Sequence, residues 1–266
     1  MLAQLGMPDI LITFSVADNV WNEYVEMYSK IGEKNKTLYT MNKSLPQVQN
    51  EANNNMLDAI IRLLLDDWPI KDYWVSKEFQ TRGSLHIHGI IYFDDKKVIL
   101  RLMSNHQYLI TKKVPTVRST DFSDENQRRK LAEFFDSIIA TNAETNSDSE
   151  IAIHPSSLSP SLGNYSKLVE SLQIHACSDY CINNEGKCKF EYPKESREKS
   201  EFLETMHGWK YEPKRSHKRS VPHNKPLLCL FRANMDIAVI SSVQILVKYL
   251  TKYITKTSKE YTGFMV

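Results

Sequence analysis

Several features are missing from this sequence, and each absence argues against a class of protein. The chain has no run of about 18 apolar residues, so we expect no membrane-spanning helix and no membrane partner. Its first residues lack a basic segment and a small-residue cleavage site, so we expect no signal peptide. Four cysteines in 266 residues do not form a secreted disulfide scaffold. A Gly-x-x-x-x-Gly-Lys-Ser/Thr phosphate loop is also absent, so we expect no ATPase in this chain.

The net charge is small, but the charges are unevenly distributed. The formal net charge is +2, from 34 basic and 32 acidic residues, and this total does not indicate a nucleic-acid partner. Bases and aromatic residues are mixed in "HGWKYEPKRSHKRSVPHNK", residues 207–225. Basic side chains attract backbone phosphates and aromatic rings stack on unpaired bases, so this segment could bind single-stranded nucleic acid. A solvated basic loop is the alternative. The predicted DNA contacts are Trp209, Lys210, Lys214, Arg215, Lys218, Arg219 and, further along, Lys248.

The order of predicted elements favours an α+β fold with an antiparallel sheet. Apolar and alternating segments predict strands at residues 9–16, 72–79, 85–93 and 227–239. Helical patterns occur at residues 17–30, 53–68, within 121–143 and from about 241 to 258. Cys229, in the apolar "LLCLF", is expected to be a core residue. Strands and helices do not alternate regularly, which favours α+β over a parallel α/β sheet.

We expect one domain over residues 1–266, built from four consecutive segments. Residues 1–143 supply the first part of the sheet, and the Ser-, Asn- and Pro-rich residues 144–164 form an exposed loop or linker. Residues 165–195 form a small zinc-binding insert, and residues 196–266 hold the basic segment, a closing strand and a last helix.

Two histidines stand two residues apart in the predicted strand "LHIHGIIYF". His86 and His88 therefore share one face of the sheet, and Glu78 or Gln80 can lie across the hairpin from them. Two imidazoles and one oxygen form a three-ligand site with open positions for Mg²⁺ or Mn²⁺, which would polarise a phosphate. Glu78 is preferred for its charge, with Gln80 as the alternative third ligand. The other interpretation is a stacked pair of core histidines.

Two tyrosines lie one helical turn apart in "VKYLTKYITK". Tyr249 and Tyr253 border an apolar stripe and a stripe of lysines. A free phenol has a pKa of about 10 and is a weak nucleophile. A metal-bound phosphate and the ammonium groups of Lys252 and Lys256 would favour the phenolate, so these four residues are the predicted catalytic group. An ordinary amphipathic helix with boundary tyrosines is the alternative.

The remaining cysteines cluster around one histidine. His175, Cys177, Cys181 and Cys188 are separated by two, four and seven residues, and Gly186 allows a turn before the last of them. Thiolates and an imidazole are zinc ligands, and four of them make a closed structural site. Free thiols in a loop are the alternative.

Together these motifs resemble the HUH endonucleases, and most closely the replication-initiator-like domain of Helitron rolling-circle transposases. The segments that carry the resemblance are "GMPDILITFSVADNVWNEY", "EFQTRGSLHIHGIIYF", "IHACSDYCINNEGKCKFEYPK", "RANMDIAV" and "VKYLTKYITK". The resemblance implies about five antiparallel strands, with a metal on one face and the tyrosine helix across it. It also implies that the protein cleaves single-stranded transposon ends through a covalent 5′-phosphotyrosine intermediate. The same resemblance implies a location in the nucleus.

Helitron proteins continue into a helicase, which this chain lacks. We therefore expect the chain to be a fragment or excised domain, with a helicase domain as its partner. A catalytically silent, zinc-containing module that binds single-stranded DNA is the alternative function. Retention of both histidines, an acid and both tyrosines favours the enzyme, because a degenerate module does not need to keep them all.

Overall fold

The protein has an α+β architecture, which confirms the predicted class. The structure, a computed structural model, describes residues 2–17, 21–22, 55, 57–62, 64–65, 68–79, 85–96, 113–142 and 154–253. Within these residues it contains a four-stranded antiparallel sheet, a two-stranded sheet and five assigned α-helices.

The central sheet combines two consecutive strands with two that are distant in the sequence. In chain order the six strands are β1 (Ile10–Ser15), β2 (Ile70–Phe79), β3 (Leu85–Phe93), β4 (Glu201–Thr205), β5 (Gly208–Glu212) and β6 (Met235–Val239). The central sheet has the order β2-β3-β1-β6, and β4 pairs with β5 in the small sheet. The central sheet therefore has four strands in the described part of the chain, where about five were expected.

The helices pack unequally on the two faces of this sheet. They are α1 (Leu2–Leu5), α2 (Glu125–Asp136), α3 (Tyr165–Leu172), α4 (Lys225–Phe231) and α5 (Val243–Tyr253). The larger core lies on one face, where Leu57 and Ile60 from a further helical stretch join Leu131 of α2 and Phe231 of α4. The opposite face holds a smaller cluster that includes Leu11, Ile90, Tyr92, Ile240 and Leu246 of α5. That face is therefore apolar at one end, under α5.

The prediction for residues 227–239 was wrong in detail. The segment 227–239 was expected to be one strand, but its first part belongs to α4 and only β6 is extended. The side chain of Asn224 accepts a hydrogen bond from the Leu227 N–H (3.0 Å), and Pro226 lies in the first turn, so a capped helix begins here. Arg232, with a φ of 53°, ends that helix, while Cys229 lies in the core as expected.

The described part of the expected linker, residues 154–164, is exposed over much of its length but packs into the protein near its start. Pro155 and Ser156 are buried in a 3₁₀ turn (Pro155–Ser157), which is followed by a second one (Leu162–Asn164). The buried Arg232 donates hydrogen bonds to the carbonyls of Ser156 (3.1 Å) and Leu158 (2.8 Å). Most of the predicted helix at 17–30, and residues 143–153, lie outside the described residues.

A buried carboxylate ties the start of β1 to the end of β3. Asp9 is fully buried and accepts hydrogen bonds from the N–H groups of Phe93 (2.8 Å) and Val117 (2.7 Å). It also pairs with Arg118 at 2.8 Å. Burial raises the pKa of Asp9, while Arg118 and the two backbone N–H groups act in the opposite direction. The ionised form therefore depends on these partners.

We expect Arg118→Met to lower the free energy of unfolding by about 3 kcal/mol at neutral pH, because it leaves Asp9 as an unpaired buried charge. Loss of Arg118 raises the pKa of Asp9 further, so the neutral carboxyl forms sooner as the pH falls. The destabilisation should consequently be larger at pH 7.5 than at pH 5, measured by urea unfolding at both values. Arg129→Met removes an exposed i,i+4 pair with Glu133 and should have little effect at either pH. Equal losses in the two variants would contradict this interpretation.

Candidate active site and zinc centre

The strand register brings Glu78 opposite the first histidine of the pair. His86 pairs with Glu78 on β2, and His88 pairs with Thr13 on β1. Both histidines are on the face that carries α5, beyond the end of the apolar cluster. This arrangement matches the cross-hairpin position predicted for Glu78, while Gln80 lies outside the described residues.

His88 contacts both the acid and one of the tyrosines. Its Nε2 lies 3.1 Å from Oε2 of Glu78, and its Nδ1 lies 3.2 Å from the hydroxyl of Tyr249. The rings of His88 and Tyr249 meet edge to face, with centroids 6.0 Å apart. The imidazole is almost completely buried, whereas Glu78 is partly exposed. The carboxylate, an imidazole and a phenol therefore meet at the border between core and solvent.

Glu78 and His88 are in direct hydrogen-bonding contact, and the same separation could also accommodate two ligands of one divalent ion. Two ligand atoms about 2.1 Å from one octahedral ion are about 3.0 Å apart, which is close to the observed 3.1 Å. His86 lies on the same face, with its ring centre 6.2 Å from that of His88. The structure therefore brings two of the three predicted ligands into contact and places the third beside them.

Helix α5 places Tyr249 over this group by packing its apolar side on the sheet. Leu246 is buried in the smaller cluster, and Leu250 and Tyr249 pack against that cluster from its edge. Tyr253 lies on the same helix one turn later. The side chains of Tyr253, Lys248 and Lys252, and all of Lys256, lie outside the described residues, so their roles stay predictions.

The four predicted zinc ligands converge in the insert. The donor atoms of His175, Cys177, Cys181 and Cys188 all lie within 4.8 Å of one another. Nε2 of His175 is 3.6 Å from Sγ of Cys181 and 3.3 Å from Sγ of Cys188. Imidazole and thiolate ligands of one tetrahedral zinc are separated by about 3.6 Å. The donor set and its spacing therefore fit Zn²⁺, and these residues could hold it.

The surroundings favour the metal-binding forms of His175 and Cys188 but not that of Cys181. A hydrogen bond with the Ser178 backbone acts to lower the pKa of Cys181, but burial and the neighbouring Cys188 outweigh it and raise that pKa overall. Burial, and then the charge of Arg219, lower the pKa of His175, which keeps the imidazole neutral at physiological pH. Burial acts to raise the pKa of Cys188, but hydrogen bonds from the backbone of Tyr192 and Phe190 outweigh it and lower that pKa overall. Arg219 also donates to Sγ of Cys177 at 3.3 Å. Such outer contacts orient metal ligands.

We expect chelation of zinc to destabilise residues 165–195, because a closed metal site contributes folding free energy directly. Cys181→Ser should lower the melting temperature and abolish its response to a chelator. Cys229→Ser is the matched control: this thiol is buried in the core, so the variant should be less stable but should keep the chelator response. Hydrogen exchange locates the change, and elemental analysis of freshly purified protein measures the metal. Finding no tightly bound zinc would remove the zinc assignment.

Two of the predicted DNA contacts in the basic segment, Trp209 and Arg215, are engaged with other parts of the protein. Trp209 stacks on Phe122, and the guanidinium of Arg128 lies 4.4 Å from its ring centre. Arg215 is buried and donates to the carbonyl of Ser220, so it is not available to a phosphate in this conformation. Trp209 is nevertheless partly exposed, and the other predicted DNA contacts with exposed or partly exposed side chains in the described residues are Lys210, Lys214, Lys218 and Arg219. Lys210 also forms an ion pair with Glu212, and Arg219 lies against the zinc site.

Sequence reasoning missed two residues of these sites. Thr13 lies between His88 and Tyr249, and only the β1–β3 register reveals this position. Tyr192 stacks on the His175 ring with centroids 4.4 Å apart, and its closeness in sequence to Cys188 was the available signal.

The first third of the chain, which holds Glu78 and both histidines, resembles a known protein family. Residues 1–91 match the family described as the Helitron helicase-like domain at the N-terminus, which places β1, β2 and most of β3 inside the match. The Helitron-like character of this part of the chain, predicted from the motifs, is therefore confirmed. No curated protein matches the chain. In the described residues, no helix is long and apolar enough to cross a membrane.

Proposed function

We propose that this protein is an HUH-type endonuclease and strand transferase, which nicks and joins single-stranded DNA in Helitron-type transposition. The observation that carries the proposal is the position of Tyr249, whose hydroxyl lies 3.2 Å from Nδ1 of His88 while Nε2 of the same ring faces Glu78. The proposed nucleophile, Tyr249, and the proposed metal ligand, Glu78, therefore contact opposite nitrogens of the same buried imidazole. The Helitron-like match over residues 1–91 covers the two histidines and Glu78 and supports the same assignment.

The chemistry follows from the groups that meet at His88. His86, His88 and Glu78 would hold Mg²⁺ or Mn²⁺, which when bound neutralises charge on the phosphate and orients it. The phenol oxygen of Tyr249 then forms a bond to phosphorus, and the bond from phosphorus to the 3′ oxygen breaks. The phenol loses a proton and the leaving 3′ oxygen gains one. The products are a 5′-phosphotyrosine and a free 3′ hydroxyl, and the reverse reaction rejoins a strand.

Partner and location are part of the same proposal. The substrate would be single-stranded transposon ends, and a helicase domain outside this chain would supply the unwound strand. By family resemblance, the protein would act in the nucleus. Zn²⁺ in the insert would be structural, since its four protein ligands leave no open position for a substrate.

We expect the protein to nick single-stranded oligonucleotides when Mg²⁺ or Mn²⁺ is present, and to leave a blunt duplex of the same sequence intact. Nicking in EDTA should be absent. Binding should weaken as salt rises, because lysines that contact phosphates release counterions. Gel assays on both substrates, from 50 to about 200 mM salt, test the proposal. Equal cleavage of the duplex would contradict it, and tight single-strand binding without cleavage would favour the silent DNA-binding module.

A further inference from the structure

A threonine lies between the two groups that the proposed reaction needs. Oγ1 of Thr13 is 3.2 Å from Nδ1 of His88 and 3.5 Å from the hydroxyl of Tyr249. The hydroxyl of Tyr249 is itself 3.2 Å from Nδ1 of His88, so the three polar atoms form a closed triangle. Each of them comes from a different element: β1, β3 and α5.

The backbone holds Thr13 firmly in this position. It lies opposite His88 on β3 and opposite Asp236 on β6, so its strand is paired on both sides. Its neighbours Ile12 and Phe14 are buried in the larger core on the other face, which fixes the direction in which Thr13 points. A β-branched residue has few side-chain rotamers, so its hydroxyl moves little.

We propose that Thr13 is a positioning residue for both the metal ligand and the nucleophile; this inference rests on the function proposed above. Its oxygen accepts the hydrogen of Nδ1 of His88, so that the lone pair of Nε2 would be free to coordinate an ion bound between His88 and Glu78. Its own hydroxyl hydrogen is directed to the oxygen of Tyr249 and holds the phenol beside the metal ligands. One hydroxyl thereby sets the orientation of two reacting groups.

The hydroxyl, rather than the shape of the side chain, is the testable element. Thr13→Val keeps the branched shape and the strand preference but removes the hydroxyl. Thr13→Ser keeps the hydroxyl and removes only a methyl group. Ser15→Ala changes the next residue on the same face of β1, opposite His86, and serves as the positional control.

Two measurements distinguish a role of Thr13 in positioning His88 and Tyr249 from a role in stabilising the fold. The first is Mn²⁺ binding to the protein without DNA, followed by electron paramagnetic resonance. The second is the single-turnover rate of covalent adduct formation at saturating Mn²⁺ and DNA. We expect Thr13→Val to weaken Mn²⁺ binding by about 10- to 100-fold and to slow adduct formation by a similar factor. Thr13→Ser and Ser15→Ala should stay close to the wild type, and all four proteins should melt cooperatively.

Each outcome decides the matter. Wild-type behaviour of Thr13→Val in both measurements overturns the inference, and so does equal impairment of Thr13→Ser and Thr13→Val. If the wild type binds Mn²⁺ but never cleaves, the proposed function fails, while the Mn²⁺ affinities still test the role of Thr13. If the wild type binds no Mn²⁺ at all, both proposals fail.

Discussion

Loss of both tyrosine hydroxyls, in Tyr249→Phe with Tyr253→Phe, should abolish nicking and every covalent adduct. Each single variant should keep some activity, because a strand transferase must break and join at two ends and the second phenol lies one turn away. Tyr249→Phe should cause the larger loss in the first nick, by about 100-fold or more, since its hydroxyl already contacts His88. The phenyl ring remains in each variant, so packing of α5 on the sheet is preserved.

The position of the label makes this experiment specific for the proposed bond. An oligonucleotide labelled at its 3′ end should leave its label on the protein, whereas a 5′ label should leave with a free 3′ hydroxyl. Mass spectrometry of the trapped adduct should identify Tyr249 in the wild type and Tyr253 in the Tyr249→Phe variant. Tyr261→Phe, a tyrosine further along the chain, is the control and should nick normally. An adduct on Tyr261, or strong cleavage by the double variant, would contradict the mechanism.

The second large effect concerns the metal ligands. His88→Ala and His86→Ala should lower the nicking rate by about 1,000-fold or more, because metal stabilisation of a phosphoryl transition state is worth several kcal/mol. Circular dichroism and thermal melting should show that the fold persists. Glu78→Gln changes a charge with almost no change in shape, so it should lose Mn²⁺ affinity without a loss of packing.

The choice of third ligand is settled by comparing two positions. Glu78 lies opposite His86 and contacts His88, so Glu78→Ala should weaken Mn²⁺ binding more than Gln80→Ala. The reverse order would assign Gln80 as the ligand. Wild-type nicking by both histidine variants would eliminate the catalytic metal site altogether.

Local patterns were enough to predict the strands that carry His86, His88 and Glu78. β3 has the predicted bounds, because its run of β-branched and aromatic residues begins after Gly83 and Ser84 in the sequence and ends before the polar pair Asp94 and Asp95. The zinc cluster was also predictable, since its four ligands lie within 14 residues and thiolates have few other uses in such a loop. The bounds of β3 and the His/Cys cluster were therefore predictable because each depends on residues that are close together in the sequence.

Features that depend on distant contacts were not predictable from the sequence. Thr13 and Tyr249 are 236 residues apart, and only the β1–β3 register and the packing of α5 bring them together. Composition predicted Trp209 and Arg215 as DNA contacts, but it cannot show that Arg215 is buried or that one face of the Trp209 ring stacks on Phe122. Helix α4 is short and almost entirely apolar, so its periodicity resembled that of a buried strand.

The segment 219–222 has a consequence for how the protein behaves in concentrated solution. Its backbone joins the zinc insert through the Arg219 carbonyl, which accepts from the His175 N–H at 2.8 Å, and joins β6 through the Pro222 carbonyl, which accepts from the Ile237 N–H at 3.1 Å. β6 is one of the two outer strands of the central sheet as the structure describes it. Unpaired outer strands recruit other chains into mixed sheets, and natural proteins cover them to stay monodisperse. The segment 219–222, which is hydrogen-bonded to residue 175 of the insert, therefore covers part of this outer strand and leaves less of it open to pairing with another chain.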